Sequence, residues 1–324
     1  MKNTFKEIPL VFSVDDNYVP FLAVALRSIL DNATEGNYYS VYVLNTEISK
    51  ENVDKLKEFN RYNMSVTYVD VASRMSKINK DKIHLRDYYT KAIYYRIFIP
   101  SLFPSYQKIL YLDCDVVLLE DVANFYNVDP EDNIMVVSHE ETMTQMDLFG
   151  RYSEEFLGVK RENYFNSGVL LINSKEYKEE NIEEKFIDFM HKHKFLVAPD
   201  QDYLNVLCKD RVKYISTGWN KTPFPNMRFD DAMLKLIHYK LNFKPWHYDN
   251  VRYQEYFWKY AEKTPYYQKL LDMKNTYSLD DKEKDEVAFN ELQKTALNYT
   301  QSGKYEKLFE RHKNVFGRTV SSIK

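Results

Sequence analysis

Glycine is scarce in this chain of 324 residues, which contains only seven. No two glycines have the G-x-G spacing, and none precedes a Lys-Ser or Lys-Thr pair. The dinucleotide fingerprint and the P-loop both need glycine where the backbone closely approaches phosphate. Both motifs are therefore excluded, and any nucleotide bound by this chain must have its phosphates held in another way.

The chain also lacks a disulfide framework, a strong net charge and a long apolar run. Its two cysteines, Cys114 and Cys208, are too few for such a framework and do not have metal-site spacing, which favours a reducing cytoplasm. The formal net charge of −3 gives no reason to expect nucleic-acid binding. The apolar runs Ile8–Val14 and Val19–Leu26 are shorter than the roughly 20 residues of a membrane span, and no signal peptide is recognised. We therefore expect any membrane contact to be peripheral.

Apolar strand-like segments alternate with helix-like segments in the first part of the chain. The strand-like segments are Ile8–Val14, Ser40–Leu44, Val66–Val71, Lys108–Leu112, Ile134–Ser138 and Gly168–Asn173. Helical spacing of apolar residues predicts helices over Ser49–Tyr62 and Lys175–Lys192. This alternation predicts an α/β fold, an open and mostly parallel sheet with helices on both faces. After about Trp246 the composition changes and predicts mostly helix.

Two polar clusters directly follow predicted strands, where ligands bind in open α/β sheets. One is Asp15–Tyr18, and the other contains Asp113 and Asp115 within the otherwise apolar segment Ile109–Leu118. Because ionised carboxylates are costly to bury unpaired, the second cluster calls for a cation or several hydrogen-bond donors. A hard divalent ion shared with substrate phosphates meets this need, and an ordinary acidic turn is the alternative. Alternation along the strand directs Cys114 away from the two carboxylates and into the core.

Six sequence blocks occur together in a characteristic order. They are Val14–Tyr18, Tyr95-Arg96, Tyr111–Asp115, Phe165–Val169, Asp200–Asp202, and His238 followed by Lys244–Trp246. With these blocks, residues 8–260 resemble the retaining glycosyltransferases of family 8, the bacterial galactosyl- and glucosyltransferase type related to glycogenin. The resemblance implies a GT-A-like nucleotide-sugar-binding domain over residues 1–260 and a helical C-terminal extension over residues 261–324.

The resemblance also implies roles at the nucleotide end of the site. Asp15 would accept the uracil N–H, Asn17 would bond the ribose, and Tyr18 would stack on the base. Simple capping of the following helix by Asp16 or Asn17 is the alternative, and both roles can coexist.

A metal site and a diphosphate site are implied in the same way. His238, as neutral imidazole, would complete a site for Mn²⁺ or Mg²⁺ with Asp113 and Asp115. Lys244 would neutralise the diphosphate. The chain departs from the family at Leu241, where the H-x-x-G-x-x-K-P-W pattern usually has glycine. Because leucine lacks glycine's freedom at positive φ, we expect this loop to be shifted and donor binding to be affected.

The sugar end of the site is implied by the remaining blocks. Arg96 would lie near the donor sugar and diphosphate. Asn166 and Asp200 would bond sugar hydroxyls, and Gln201 would lie beneath the anomeric carbon. The alternative for Asp200–Asp202 is a helix N-terminus after Pro199, because acids favour the first turn.

These features predict a cytoplasmic enzyme that moves galactose or glucose from a UDP-sugar to a hydroxyl of a glycan, glycolipid or glycoprotein. A non-catalytic sugar-nucleotide-binding subunit of a glycosylation complex is the alternative, and Leu241 is the feature in its favour. A nucleotidyltransferase would usually need a glycine-rich or basic triphosphate loop, which the sequence lacks. Basic residues surround helically spaced apolar residues from Lys304 to Lys324. This pattern predicts contact with a partner or with the inner face of the membrane, and docking on the catalytic domain is the alternative.

Overall fold

The computed structural model describes residues 5–83, 85, 90–225 and 227–303. The strands are β1 (Lys6–Ser13), β2 (Asn37–Asn45), β3 (Met64–Asp70), β4 (Lys108–Leu112), β5 (Val116–Leu118), β6 (Met135–Val137), β7 (Val169–Asn173), β8 (Val212–Tyr214) and β9 (Leu236–His238). The α-helices are α1 (Val19–Asp31), α2 (Lys50–Leu56), α3 (Ala72–Met75), α4 (Ile99–Leu102), α5 (Ala123–Tyr126), α6 (Glu141–Gln145), α7 (Asp147–Arg151), α8 (Ser174–Glu179), α9 (Ile182–Lys192), α10 (Pro199–Cys208), α11 (Gln254–Ala261), α12 (Tyr267–Thr276) and α13 (Leu279–Ser302).

A seven-stranded sheet in the order β3-β2-β1-β4-β7-β6-β8 forms the centre of the fold. Its pairs are parallel except those of β7, which runs antiparallel to β4 and β6. Phe12 pairs with Leu112, and Leu112 pairs with Val169. The ends of β1 and β4 and the start of β7 therefore meet at one edge, where the chain continues into Asp15, Asp113 and Asn166. The predicted mostly parallel sheet is confirmed.

Both faces of the sheet are covered, as predicted. Along β1, Leu10 and Phe12 belong to one buried apolar cluster and Val11 belongs to another, because successive side chains point to opposite faces. Helix α1 packs in the first cluster through residues such as Leu22, and α9 packs in the second through residues such as Phe186. A separate two-stranded sheet joins β5 to β9 and pairs Val116 with His238.

Two predicted helices are shorter than expected. The prediction of one helix over Lys175–Lys192 is wrong, because α8 ends at Glu179 and α9 begins at Ile182. Asn181 interrupts the helix with a φ of +52°, a left-handed conformation that asparagine tolerates better than most residues. The helix predicted over Ser49–Tyr62 contains α2 only to Leu56 and then one 3₁₀ turn.

The described part of the C-terminal extension is helical and docked on the sheet domain. Helix α13 starts at a capping box formed by Ser278 and Asp281. Leu292 and Ala296 on this helix join the second apolar cluster. The predicted helical extension is therefore confirmed, whereas the tail after Gly303 lies outside the described residues. Across the described ranges, no helix is both long and apolar enough to cross a membrane.

Candidate active site

Two carboxylates and one imidazole converge at the carboxyl end of β4. Ligand atoms of Asp113, Asp115 and His238 all lie within 4.8 Å of one another. His238 Nε2 is 3.2 Å from Asp115 Oδ1 and 3.7 Å from Asp113 Oδ2. The antiparallel pairing of Val116 with His238 causes this convergence, because it places the imidazole next to the strand that directly follows Asp115.

This cluster fits a divalent cation in both chemistry and space. Mixed carboxylate and imidazole ligation, without thiolate, suits a first-row ion such as Mn²⁺. A Cβ at Gly168 would lie 2.3 Å from Asp113 Oδ2 and 2.5 Å from His238 Cε1, so glycine here keeps the cluster open. Burial alone would raise the pKa of Asp115, but His238 and Lys244 lower it to about 2. Asp115 is therefore ionised at neutral pH, as a metal ligand must be.

Asn220 contacts the ring nitrogen of His238 that faces away from the carboxylates, and no motif or spacing in the sequence indicates this residue. His238 Nδ1 lies 2.9 Å from Asn220 Oδ1, and Asn220 Nδ2 donates to Asn166 Oδ1 at 2.8 Å. With an amide oxygen as its partner, Nδ1 carries a proton, and Nε2 is the ring nitrogen that faces the carboxylates and would bind an ion. A single asparagine 18 residues before His238 has no diagnostic spacing.

Arg96 is buried and joins the two halves of the site. Its Nη2 donates to Asp113 Oδ1 at 3.0 Å, and its Nε lies 3.2 Å from Asp200 Oδ2. Its Nη1 also donates to the carbonyl oxygen and hydroxyl of Ser167. The ring of Tyr111 lies 4.4 Å from the guanidinium carbon. Arg96 thus holds two carboxylates of the chain itself, in the cleft where the family resemblance implies a donor sugar.

Asp200 and Gln201 lie in the first turn of α10, which begins at Pro199 as the alternative reading predicts. Gln201 Oε1 accepts hydrogen bonds from Ser167 N at 2.9 Å and from Asn166 Nδ2 at 3.1 Å. Asp200 Oδ2 accepts one from Ser167 Oγ at 2.9 Å. Burial raises the pKa of Asp200, and the Arg96 guanidinium opposes the increase. Asn166, Asp200 and Gln201 are therefore fixed by one buried network.

Asp202 has a larger structural role than a helix-dipole contact. It is fully buried and accepts hydrogen bonds from the hydroxyls of Tyr152 and Tyr164 and from the backbone N–H of Ala198. Burial raises its pKa to about 6, although these donors oppose the shift. Asp202 thereby anchors the start of α10 and the two catalytic candidates on it.

The nucleotide end of the site begins at Asp15. Its Oδ1 accepts hydrogen bonds from Asn17 N at 2.9 Å and Tyr18 N at 3.2 Å, so Asp15 caps the 3₁₀ turn Asp16–Tyr18. Asp16 instead accepts from Ser49 N at 2.7 Å. Capping therefore occurs, but through Asp15 and not through Asp16 or Asn17. Asp15 and Tyr18 line the cleft, whereas Asn17 is exposed outside the cleft lining.

Lys244 connects the nucleotide end to the metal cluster. Its Nζ lies 3.6 Å from Asp115 Oδ2 and 5.8 Å from the centre of the Tyr18 ring. The ring of Trp246 packs 5.2 Å away. Burial lowers the pKa of Lys244, and Asp115 opposes the decrease. One cleft extends from Tyr18 past Asp115 to Gln201.

Comparison with known proteins establishes the family. Residues 9–250 match the family model described as Glycosyl transferase family 8. The chain belongs to this family. It is 27% identical over 274 residues to a lipopolysaccharide 1,2-glucosyltransferase of Escherichia coli K12, covering 78% of this chain and 77% of that protein. A putative glycosyltransferase of Haemophilus influenzae is 30% identical over 216 residues, which is 66% of this chain and 63% of that protein.

Solved structures confirm the GT-A-like fold of this family 8 chain. The bifunctional glycosyltransferase WbbM in its apo form superposes with a TM-score of 0.72 at 25% identity, over 83% of this chain and 52% of that one. The galactosyltransferase LgtC, in complex with donor and acceptor sugar analogs, superposes with a TM-score of 0.64 at 24% identity, over 80% and 96% of the two chains. The family 8 chain thus spans under two thirds of the Haemophilus relative and of WbbM.

Leu241 keeps the backbone conformation for which glycine is suited. Its φ is +54°, in the left-handed region that costs most L-residues about 1–2 kcal/mol. Replacement of the family's usual glycine has therefore not moved this residue out of the left-handed region. Leu241 also lines the cleft of this family 8 member, as does Lys240.

A buried ion pair borders the site. Glu140, a residue just after β6, forms an ion pair with Lys240 and accepts from Asn166 Nδ2 at 2.7 Å. Burial would raise the pKa of Glu140, but Lys240 lowers it to about 2. The alternation of His238 and Lys240 at the end of β9 was the signal that could have placed this lysine in the site.

The conformation of Leu241 leads to a stability prediction. Leu241→Gly and Leu241→Ala both remove the side chain, but only glycine relieves the cost of positive φ. We expect the glycine variant to be more stable than the alanine variant by about 0.5–1 kcal/mol, after the greater chain entropy of glycine is subtracted. Urea unfolding of the two variants measures this difference. An alanine variant as stable as the glycine variant would contradict the assignment of strain.

Proposed function

We propose that this family 8 chain transfers galactose or glucose from a UDP-sugar to a hydroxyl of a glycan, glycolipid or glycoprotein. The reaction retains the anomeric configuration and uses a divalent ion, Mn²⁺ or Mg²⁺. One observation carries the proposal: Arg96 bonds both Asp113 of the candidate metal cluster and Asp200 of the candidate sugar site, within a single cleft. The metal ligands and the sugar-facing residues are thereby built as one unit.

Asp113, Asp115 and His238 would hold the ion. When bound, a divalent ion supplies electrostatic stabilisation of the negative charge that develops on a departing diphosphate. Lys244 contributes a second cation from the same side, since its Nζ lies 3.6 Å from Asp115 Oδ2. Because Lys244 is buried, its charge acts through a medium of low dielectric constant and is more effective than it would be in water.

Gln201 is the residue that we place beneath the anomeric carbon. Its amide oxygen already accepts two hydrogen bonds, which fix its orientation and leave it a weak nucleophile. Retention through direct front-face attack is compatible with this arrangement, and so is a covalent intermediate on a carboxylate. In either route, the Gln201 side chain orients the sugar, and Asp200 bonds its hydroxyls.

The alternative, a non-catalytic sugar-nucleotide-binding subunit, depended on Leu241. The positive φ of Leu241 weakens that argument, because the loop still adopts a conformation typical of glycine. Turnover of a UDP-sugar distinguishes the two functions.

The first test concerns the nucleotide and the metal. A panel of UDP-, GDP- and CMP-sugars should raise the melting temperature only for UDP-sugars, and mainly with Mn²⁺ present, because the diphosphate completes the ion's ligand shell. Chelation should abolish turnover, and added Mn²⁺ should restore it.

Asp115→Asn should lower kcat by about two to three orders of magnitude, as loss of a key electrostatic group does. His238→Ala should lose less, since water can replace a neutral ligand.

Asp188→Asn is the matched control, because Asp188 is an exposed carboxylate paired with Lys192 on α9. This variant should keep wild-type activity and wild-type dependence on Mn²⁺. Full turnover in chelator, or wild-type rates for Asp115→Asn, would remove the metal from the proposed mechanism.

The second test concerns stereochemistry. Starting from an α-linked UDP-hexose, the first-formed product should carry an α linkage, because Gln201 and Asp200 both face the sugar and we assign no base for inverting attack. Proton NMR of the first-formed product identifies the anomer directly. A β-linked product would contradict the assignment of retention.

We also propose that the basic tail, Lys304–Lys324, makes peripheral contact with an anionic membrane. Its sequence supports this proposal, although the tail lies outside the described residues. The full chain should sediment with vesicles containing phosphatidylglycerol, and a chain truncated after Thr300 should not. Neutral phosphatidylcholine vesicles serve as the control. Equal sedimentation of the two chains with the anionic vesicles would refute this contact.

A further inference from the structure

We propose that α13 completes an acceptor subsite that binds the apolar face of a neutral saccharide ring. This inference rests on the proposed function and names the acceptor class for the same cleft. The subsite has an apolar wall, hereafter the α13 wall, in which two residues of α13 pack beside three residues of the sheet domain. The residues of the α13 wall are Met143, Phe149, Val197, Phe289 and Leu292.

The α13 wall adjoins the sugar end of the cleft. Contacts link Tyr18 to Lys244 and Asp115 at the nucleotide end, and Arg96 then links the metal cluster to Asp200. Val197 lies three residues before Asp200 and lines the same cleft. A ligand against the wall would therefore lie next to the residues that we place around the donor sugar. This is where a hydroxyl acceptor must bind.

The wall is well fixed. The rings of Phe149 and Phe289 lie 6.3 Å apart at an angle of 53°, and Phe149 and Leu292 are buried in the second apolar cluster. Phe289 is half-buried and lines the cleft. Further along α13, Tyr299 packs on Phe156 with ring centres 4.4 Å apart. The aromatic surface is thus preorganised for a ligand.

The start of α13 is tied to the loop that carries Lys244. Asp285 accepts hydrogen bonds from Tyr248 at 2.5 Å and from Tyr277 at 2.6 Å. One helix therefore contacts the diphosphate loop and also provides Phe289 to the cleft. The two residues that α13 contributes to the wall, Phe289 and Leu292, lie beyond residue 250, where the family match ends.

The lining of the cleft favours a saccharide. A pyranose ring presents an apolar C–H face and a rim of hydroxyls. The wall offers an aromatic face, while Thr142, Gln201 and Lys240 offer polar groups in the same cleft. The aromatic wall therefore complements the C–H face of the ring, and the polar groups complement its hydroxyl rim.

Charge argues against an anionic lipid in this position. From Asp280 to Glu291, the outer part of α13 contains six acidic residues and two lysines. An anionic headgroup would be repelled by this segment, whereas a neutral glycan would not. We therefore assign the wall to a neutral saccharide ring and not to the acyl chain of an anionic lipid.

Substitutions of Phe289 test the assignment in the full-length chain. The assay uses UDP-galactose and UDP-glucose with Mn²⁺, and methyl and octyl β-glucosides and β-galactosides as acceptors. Phe289→Ala and Phe289→Leu should raise the acceptor KM about tenfold, equivalent to roughly 1.4 kcal/mol of lost binding. In these two variants the donor KM should change less than about twofold. Phe289→Tyr should have an acceptor KM like that of the wild type, because tyrosine keeps the aromatic face.

Val287→Ala is the matched control. Val287 lies two residues earlier on the same helix, is 62% exposed and is not part of the cleft lining. Its substitution should leave both KM values unchanged. The methyl and octyl glycosides should have similar KM values, since the alkyl group is not the occupant of the wall.

Two kinetic results would overturn the inference. One is an unchanged acceptor KM in Phe289→Ala. The other is a strong preference for octyl glycosides that Phe289→Leu preserves, which would identify an alkyl-chain site. Saturation-transfer NMR with UDP and Mn²⁺ covers the case in which no glycoside is turned over. In that experiment, binding of UDP without binding of the glycoside would overturn this inference but not the proposed function. Absence of UDP binding would overturn the proposed function and this inference with it.

Discussion

The bridge that Arg96 forms between Asp113 and Asp200 is the interaction on which the site depends. Carboxylates that are buried or half-buried are costly unless they are paired, and three of them, Asp113, Asp115 and Asp200, line this cleft. Arg96 compensates two, and Lys244 and His238 approach the third, Asp115. These three carboxylates can thereby stay ionised inside the fold, where a divalent ion and sugar hydroxyls would need them.

Close packing around this bridge imposes the next constraint. Gly168 gives Asp113 and His238 the space that any side chain would fill, and its carbonyl oxygen accepts a hydrogen bond from Asp113 N at 2.7 Å. Asn166 bonds Gln201, Glu140 and Asn220 through one amide group. A small displacement of β7 would therefore disturb the candidate metal ligands and the candidate sugar-binding residues together, because both belong to one network.

The C-terminal helix α13, which follows the family domain, also contributes residues to the cleft. Asp285 ties α13 to the residues that follow Lys244, and Phe289 reaches the cleft beside the sugar end. The extension is therefore not only an attachment to the catalytic domain. In the acceptor subsite that we propose, it forms part of the surface on which the acceptor would lie.

The sequence by itself determined the mostly parallel sheet and the polar strand ends, because both follow from local patterns: apolar strands with period two, and acids placed directly after them. The blocks around Asp113, Gln201 and His238 were likewise visible as ordered motifs. Tertiary structure alone decided that Asn220 orients His238, that Arg96 bonds carboxylates of the chain itself, that Asn181 divides a predicted helix, and that Phe289 lines the cleft. These features depend on contacts between distant segments or on one residue's φ, neither of which leaves a periodic or spaced signal in the sequence.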